Sequence, residues 1–429
     1  MCDFYQRAVD LGYASAEDVV RRGIWGGELY MGGSDVLCGS GEYARGSRTW
    51  LWRHLDDEDV EEVELLPLPG SDDLVGQARA LEGKKSVEEA REVSRVGIRR
   101  LTPSTTTSHP LSGVSANRGD EKAVKKQITG DQIRDSLEII DLDLKRLLIH
   151  PMFTEEQCHV QNMKLLLYNY LVKNNVEYKQ GFHEILGMIY LQIYDSNTDQ
   201  EEKLKAVLKL FTKLMNPLNG VFYEEENLLK WESKVFRPML LGLSPKIFSV
   251  IYSGHGKNHN NNLIWIIRWT RLLFIREIAK KGDILELWDH LLTLTSNQFS
   301  LFIASFISVM LLSIYDQVIA FSRDTSLDHD DLIEVLLLRY KDMNPNLDVL
   351  KYCQTAMDAA DVFNVNENDR LFDICKSFLS WKFNESNEIL NLHQTTRNMV
   401  ITGIDTPTDI HRLRMEEKLK RRVLGRLKR

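Results

Sequence analysis

The sequence predicts an all-α protein built around one large helical domain, and three observations carry that reading. From Asp131 onward, apolar residues recur at the helical period: Ile133, Leu137, Ile140, Leu144 and Leu148 fall on one face. Strand-like alternation is scarce along the whole chain. One run, Phe299 to Tyr315, carries no charge and has the composition of a helix buried on all sides. With no sheet to cover, such helices must pack on one another.

The elements follow in chain order. Residues 1–44 form an N-terminal segment without a clear pattern. Ser15 to Asp18 resembles a capping box before a short helix, and glycines crowd Gly23 to Gly41, which suggests loop. The helical domain is expected over residues 45–365, opening with the apolar-basic GSRTWLWRHL (Gly46 to Leu55). Residues 56–120 read as an insertion or flexible loop, acidic at first and then broken by Pro, Gly, Ser and Thr, as in TPSTTTSHPLSG.

After the Asp131 helix comes a second, with Met163, Leu167, Tyr170 and Leu171, ended by Asn174-Asn175. Further helical runs are expected over Gly181 to Tyr194, Lys203 to Met215, Leu263 to Lys280, Ile284 to Leu294, Phe299 to Ile314 and Leu332 to Tyr340. The Asn-rich His255 to Asn262 joins two of them as a loop. A helical extension is assigned to 366–404 and a basic tail to 405–429. In that tail Met415, Leu419, Val423 and Leu427 lie four apart among Lys and Arg, an amphipathic basic helix suited to an anionic membrane or an acidic partner.

The totals narrow the function. The chain has 429 residues and a formal net charge of -8, against the strongly basic footprint of a nucleic-acid binder. Its 5 cysteines are scattered without metal or redox spacing, which fits a reducing compartment such as the cytosol. The opening MCDFYQRAVD lacks the basic start and apolar run of a signal peptide. Phe299 to Tyr315 reaches the short limit of a membrane span at roughly 17 residues, but serines interrupt it and no Lys/Arg cluster flanks it.

Several chemistries are missing. There is no P-loop, no HExxH, no zinc-spaced Cys/His set and no GxSxG elbow. Gly39-Ser-Gly41-Glu-Tyr-Ala44 matches a loose dinucleotide fingerprint, yet nothing around it alternates strand and helix as that site requires.

Three segments remain. In IDLDLKR, Ile140, Asp143 and Arg146 are each three apart, so Arg146 turns off the apolar stripe with Asp143 beside it. A carboxylate there can hold a guanidinium in a fixed pose; taken alone, Asp-x-x-Arg is also a common surface pair. In YKQGFHEI, Gln180 stands at a loop-to-helix junction, its amide able to donate and accept, and Gly181 lets another backbone approach. The third is IRWTRLLFIRE (Ile267 to Glu277), followed by ELWDHLL. Trp265, just ahead of it, and Trp269 lie four apart and suit the core, and Arg268, Arg271 and Arg276 suit pairing with carboxylates such as Glu277 or Asp289.

In this order the segments resemble the TBC domain of Rab GTPase-activating proteins. The family pattern IxxDxxR, YxQG, RWxRxLFxRE and WD is matched by Ile140-Asp143-Arg146, Tyr178-Gln180-Gly181, Arg268 to Glu277 and Trp288-Asp289. Arg48 and Trp50 resemble the domain's opening Arg/Trp segment, and HPLSG (His109 to Gly113) a further family element. The RWxRxLFxRE wording is similar to a fungal Ypt/Rab subgroup acting on Golgi or endosomal Rabs. Phe182 departs from a common Met, and Leu147-Leu148 from a common Thr-x-Pro.

The resemblance implies a single TBC-type domain whose partner is a GTP-bound Rab-family GTPase, with no nucleic acid. Arg146 would stabilise charge on the transferred phosphoryl and Gln180 would orient the attacking water, both in trans. Asp143, Tyr178 and Gly181 would support them. It implies no metal and no cofactor of the chain's own, because GTP and Mg²⁺ arrive on the GTPase. It also implies a cytoplasmic location, peripheral on Golgi or endosomal membranes, with membrane contact through the basic tail. The alternative is a catalytically silent Rab-binding effector or scaffold.

Overall fold

The computed structural model describes residues 13, 16–30, 48, 51–52, 64–69, 128–193, 199–252, 263–323 and 329–383. Among them there is no β-strand. The Gly39 to Ala44 fingerprint, HPLSG, Trp50, the Asn-rich loop and the basic tail lie outside the described residues.

A short helix α1 (Ala16–Asp18) widens into a π-helical turn, Val19–Trp25. Helix α2 (Gly130–Leu144) starts at a reciprocal capping box between Thr129 and Gln132, and its buried stripe is Leu137, Ile140 and Leu144. Then follow α3 (Met152–Glu155), α4 (Gln157–Asn174) and α5 (Phe182–Ile193). Asn175 ends α4 in the left-handed conformation at φ 53°, a position asparagine tolerates.

Next come α6 (Gln200–Leu218), α7 (Glu225–Trp231), α8 (Arg237–Leu243), α9 (Pro245–Tyr252) and α10 (Leu263–Arg271). The chain continues through α11 (Lys281–Leu292), α12 (Ser296–Ser313), α13 (Tyr315–Arg323), α14 (His329–Leu338) and α15 (Tyr340–Met343). It closes with α16 (Val349–Asn364) and α17 (Asn368–Lys382).

Helix α12 is the charge-free run, and it is the one described helix long and apolar enough to cross a membrane. Here 72% of it is buried inside the protein, against α16, α8 and α17. Its serines are no obstacle to burial. The Ser305 and Ser308 hydroxyls donate to the carbonyls of Leu301 (3.1 Å) and Ala304 (2.8 Å), four residues back. The capping box of Thr295 and Gln298 fixes where the helix begins.

The expected helix from Leu263 to Lys280 is broken. It ends at Arg271 because Leu273 (φ 45°) and Phe274 (φ 64°) turn left-handed. Such backbone costs about 1–3 kcal/mol per residue. What holds it is burial: neither side chain retains exposure, the Phe274 ring meets Phe306 at 5.1 Å, and the Leu273 carbonyl accepts from the Trp288 indole at 3.2 Å.

The segments outside the central helices dock on the same body. The N-terminal turn reaches α11, where the Trp25 indole donates to Thr293 (3.0 Å) and Tyr30 to Asp289 (3.1 Å). Residues 64–69, without regular secondary structure, dock on α4, where the Asn169 side chain accepts from the Leu66 amide (2.7 Å) and donates to its carbonyl (2.9 Å). Helix α17 packs on α8, α12 and α16.

Candidate functional site

The site is assembled where α2 ends and α5 begins. Past the last turn of α2, the Arg146 amide donates to the Asp143 carbonyl (3.0 Å) and the Leu147 amide to that of Leu144 (3.1 Å). Leu147 is buried and its Cδ2 lies 3.3 Å from where a Cβ on Gly187 of α5 would stand. The Lys281 ammonium at the start of α11 donates to the Ile149 carbonyl at 2.6 Å. The turn is therefore pinned on both sides, while Arg146 itself is exposed.

Beneath that turn lies a buried polar node. The Tyr178 hydroxyl donates to Asp143 Oδ2 (2.9 Å) and stands 2.7 Å from His183 Nδ1. Since the phenol proton goes to the carboxylate, its oxygen is left to accept from His183 Nδ1–H. Burial, reinforced by Asp143, pushes the Tyr178 phenol far up, so it stays protonated and a donor. Burial also lowers His183, outweighing the opposing pull of Asp143 and Glu184, which keeps the ring neutral.

Two residues beyond Tyr178, Gln180 is exposed just ahead of α5. Gly181 follows at φ 107°. A Cβ there would lie 2.6 Å from Leu272 Cδ2, so the position requires glycine twice over. Leu272 is delivered by the break after α10. That break also brings Arg276 onto Glu184 of α5 in a two-pronged pair at 2.5 and 3.2 Å.

The structure thus brings Arg146, Asp143, Tyr178, Gln180 and Gly181 to one junction, with one correction. Asp143 does not hold the Arg146 guanidinium; its carboxylate is taken by Tyr178 and faces His183 at 3.7 Å. Its tie to Arg146 runs through the backbone. The Arg146 and Gln180 side chains have no ion pair or hydrogen bond among the described residues.

Of the arginines of the third segment, Arg268 forms the expected ion pair with Glu277, Arg276 finds a different carboxylate, and Arg271 departs from expectation. Arg276 goes to Glu184, while Arg271 donates to the Phe222 carbonyl (2.8 Å) and lies over the Tyr223 ring. Arg268 approaches Glu277 at 3.1 Å without hydrogen-bond alignment. Burial raises Glu277 to about 7 against the pull of Arg268 and Arg276. Asp289 belongs to Arg48, at 3.0 Å, and to the Trp52 indole at 2.6 Å.

His183, Leu272, Lys281 and the Arg276–Glu184 pair are site-shaping residues that sequence reasoning passed over. His183 had a local signal, lying three residues past Gln180; the others come from distant segments. The donor atoms of Glu156, Cys158 and His159 gather within 4.8 Å at the start of α4. Both ring nitrogens of His159 are already engaged there, by Tyr190 at 2.9 Å and Glu156 at 3.1 Å.

The family model of the Rab-GTPase-TBC domain matches residues 110–320, which contain the whole junction. No curated protein matches the chain significantly. Among solved structures, the chain is similar to the Ypt/Rab-GAP domain of Gyp1p, with 13% sequence identity and a TM-score of 0.49, over 85% of this chain and 99% of that one. By the family match over 110–320 and the ordered motifs within it, this chain is a TBC-domain protein.

Proposed function

We propose that this chain is a GTPase-activating protein for a Rab-family GTPase, working in trans through Arg146 and Gln180. The observation that carries the reading is one arrangement. Two exposed side chains without partners, a cation and an amide, flank a single buried node of Tyr178, Asp143 and His183 on a TBC domain.

The chemistry follows from what each group can do. Hydrolysis of bound GTP spreads charge over the transferred phosphoryl and needs an in-line water. Arg146 is uncommitted, so its guanidinium can enter the partner's nucleotide site and meet that charge without first breaking an internal ion pair. An arginine supplied this way is worth about 10³–10⁵ in rate. Gln180 can donate to one acceptor and accept from a water, which suits orienting the nucleophile. The node beneath them, and Gly181 closed against Leu272, set the two at fixed positions, and catalysis of this kind is positioning plus electrostatics.

GTP and Mg²⁺ come with the partner. A cytoplasmic protein held peripherally at Golgi or endosomal membranes by the basic tail of residues 405–429 completes the reading, and cosedimentation with anionic vesicles, with and without the tail, tests that part.

The main test is phosphate release from a panel of GTP-loaded Rabs, using wild-type protein, Arg146→Ala and Gln180→Ala. One or a few Rabs should hydrolyse GTP at least about 10³-fold faster with the wild type, and either substitution should remove most of that gain. GTP-dependent binding without acceleration would make the chain an effector instead.

A further inference from the structure

Ten large apolar side chains are exposed among the described residues, and three of them, Ile139, Leu142 and Leu148, fall within ten positions around Arg146. They are among the most open: 48% for Ile139, 52% for Leu142 and 83% for Leu148. Scattered exposed leucines need no explanation, but these are not scattered. Ile139 and Leu142 lie three apart on one exposed face of α2, and Arg146 follows two residues past the end of that helix. At 1.5 Å per residue, Leu142 lies about 3 Å and Ile139 about 8 Å from the end of α2 at Leu144, where the turn carrying Arg146 begins. Leu148 follows two residues after Arg146. Asp135 and Glu138 are exposed on the same face, and neither has an ion pair among the described residues.

A stable partner covers about 800 Å² on each side, a patch roughly 30 Å across. Any molecule that receives Arg146 therefore also covers Ile139 and Leu142. We propose that Ile139, Leu142 and Leu148 form an apolar collar that docks the GTP-loaded GTPase around Arg146. Asp135 and Glu138 then select a partner whose surface beside its nucleotide is apolar at the centre and bears Lys or Arg at the edge. This deepens the GTPase-activating reading and rests on it.

The experiment uses the Rab that responds in the panel and measures kcat and KM separately. Ile139→Asp and Leu142→Asp should each raise KM about tenfold or more while kcat changes by less than about twofold. Glu138→Lys should raise KM at low salt, and the difference should shrink as salt screens it. Val365→Asp, at an exposed apolar position outside α2, serves as the control and should leave both parameters alone. Direct binding adds a readout free of turnover: Leu142→Asp placed on Arg146→Ala should weaken capture of the GTP-loaded Rab by a similar factor. A KM and a binding constant unmoved by Leu142→Asp and Ile139→Asp, with Arg146→Ala still inactive, would overturn the collar and leave the GTPase-activating reading standing. Wild-type protein inert toward every GTP-loaded Rab would overturn both.

Discussion

Gly181 shows how much of the site depends on single residues. Its φ of 107° strains any L side chain, and the 2.6 Å approach of Leu272 Cδ2 leaves no room for a methyl. Alanine there must shift the Gln180 turn or push Leu272 back. Gly181→Ala should cost about 1–3 kcal/mol of stability and bring GTPase activation down toward the level of Gln180→Ala, while Arg146 remains in place. Paired kinetics and thermal melts check this, and full activity in the variant would show that the turn carries no positioning role. That the glycine, the glutamine and the arginine belong together was legible in the sequence through the ordered family pattern they resemble. The partner of Asp143 was not: helical spacing put its carboxylate beside Arg146, but Tyr178 is 35 residues away and takes it instead. A chain contact of that length leaves no periodic trace.

Among the elements, periodicity located most helices but misjudged two ends. The limits of α5 and α12 lie close to where apolar spacing set them, whereas α2 stops at Leu144 and leaves Leu148, expected on its apolar face, 83% exposed. The break after Arg271 has no Gly or Pro to announce it. Leu273 and Phe274 are good helix residues that turn left-handed because tertiary burial outweighs the backbone cost. Helix α11 offers a test of electrostatics at this scale, since Glu286 and Asp289 are three residues apart and share the helix face toward Arg48. Burial, with Asp289 adding to it and Arg48 opposing, raises Glu286 to about 8. In the unfolded chain a glutamate titrates near ~4.3. Between those values the folded protein keeps a proton that the unfolded chain releases, so this group's contribution to stability is full below about pH 4 and is lost as pH rises through about 8. Glu286→Gln removes that loss. Urea melts at pH 5 and pH 8 should show the variant gaining on the wild type as pH rises; a constant difference would mean that Glu286 is ionised in the folded protein throughout.

Across the whole molecule, the described residues of the N-terminal segment and of the extension after Val365 are bound to the helical body, and Asp289 is where the N-terminal ones converge. Its carboxylate, with no exposure, accepts from Arg48, Trp52 and Tyr30, which gather the N-terminal segments onto α11. The WD pair was visible as a motif, and its role as a hub was not, because the three donors lie 237 to 259 residues away. The expected pairing of Asp289 with the arginines of 268–276 failed for the same reason. The hub gives a prediction with its own control. Asp289→Ala leaves the Arg48 cation, 3% exposed, without a counter-ion and strands two further donors. Breaking a buried pair from one side costs about 3–5 kcal/mol, so the midpoint of urea unfolding should fall markedly and protease should cut the N-terminal segment sooner. Arg48→Met alone should also destabilise, by leaving the carboxylate with only neutral donors. In the double variant Arg48→Met, Asp289→Ala no charge is left stranded, and its loss should be smaller than the sum of the two single losses by about 1 kcal/mol or more. Strict additivity would show that Arg48 and Asp289 stabilise the fold independently. Because the hub lies apart from the Arg146–Gln180 junction in the bonding network, kcat per folded molecule should stay near that of the wild type in all three variants.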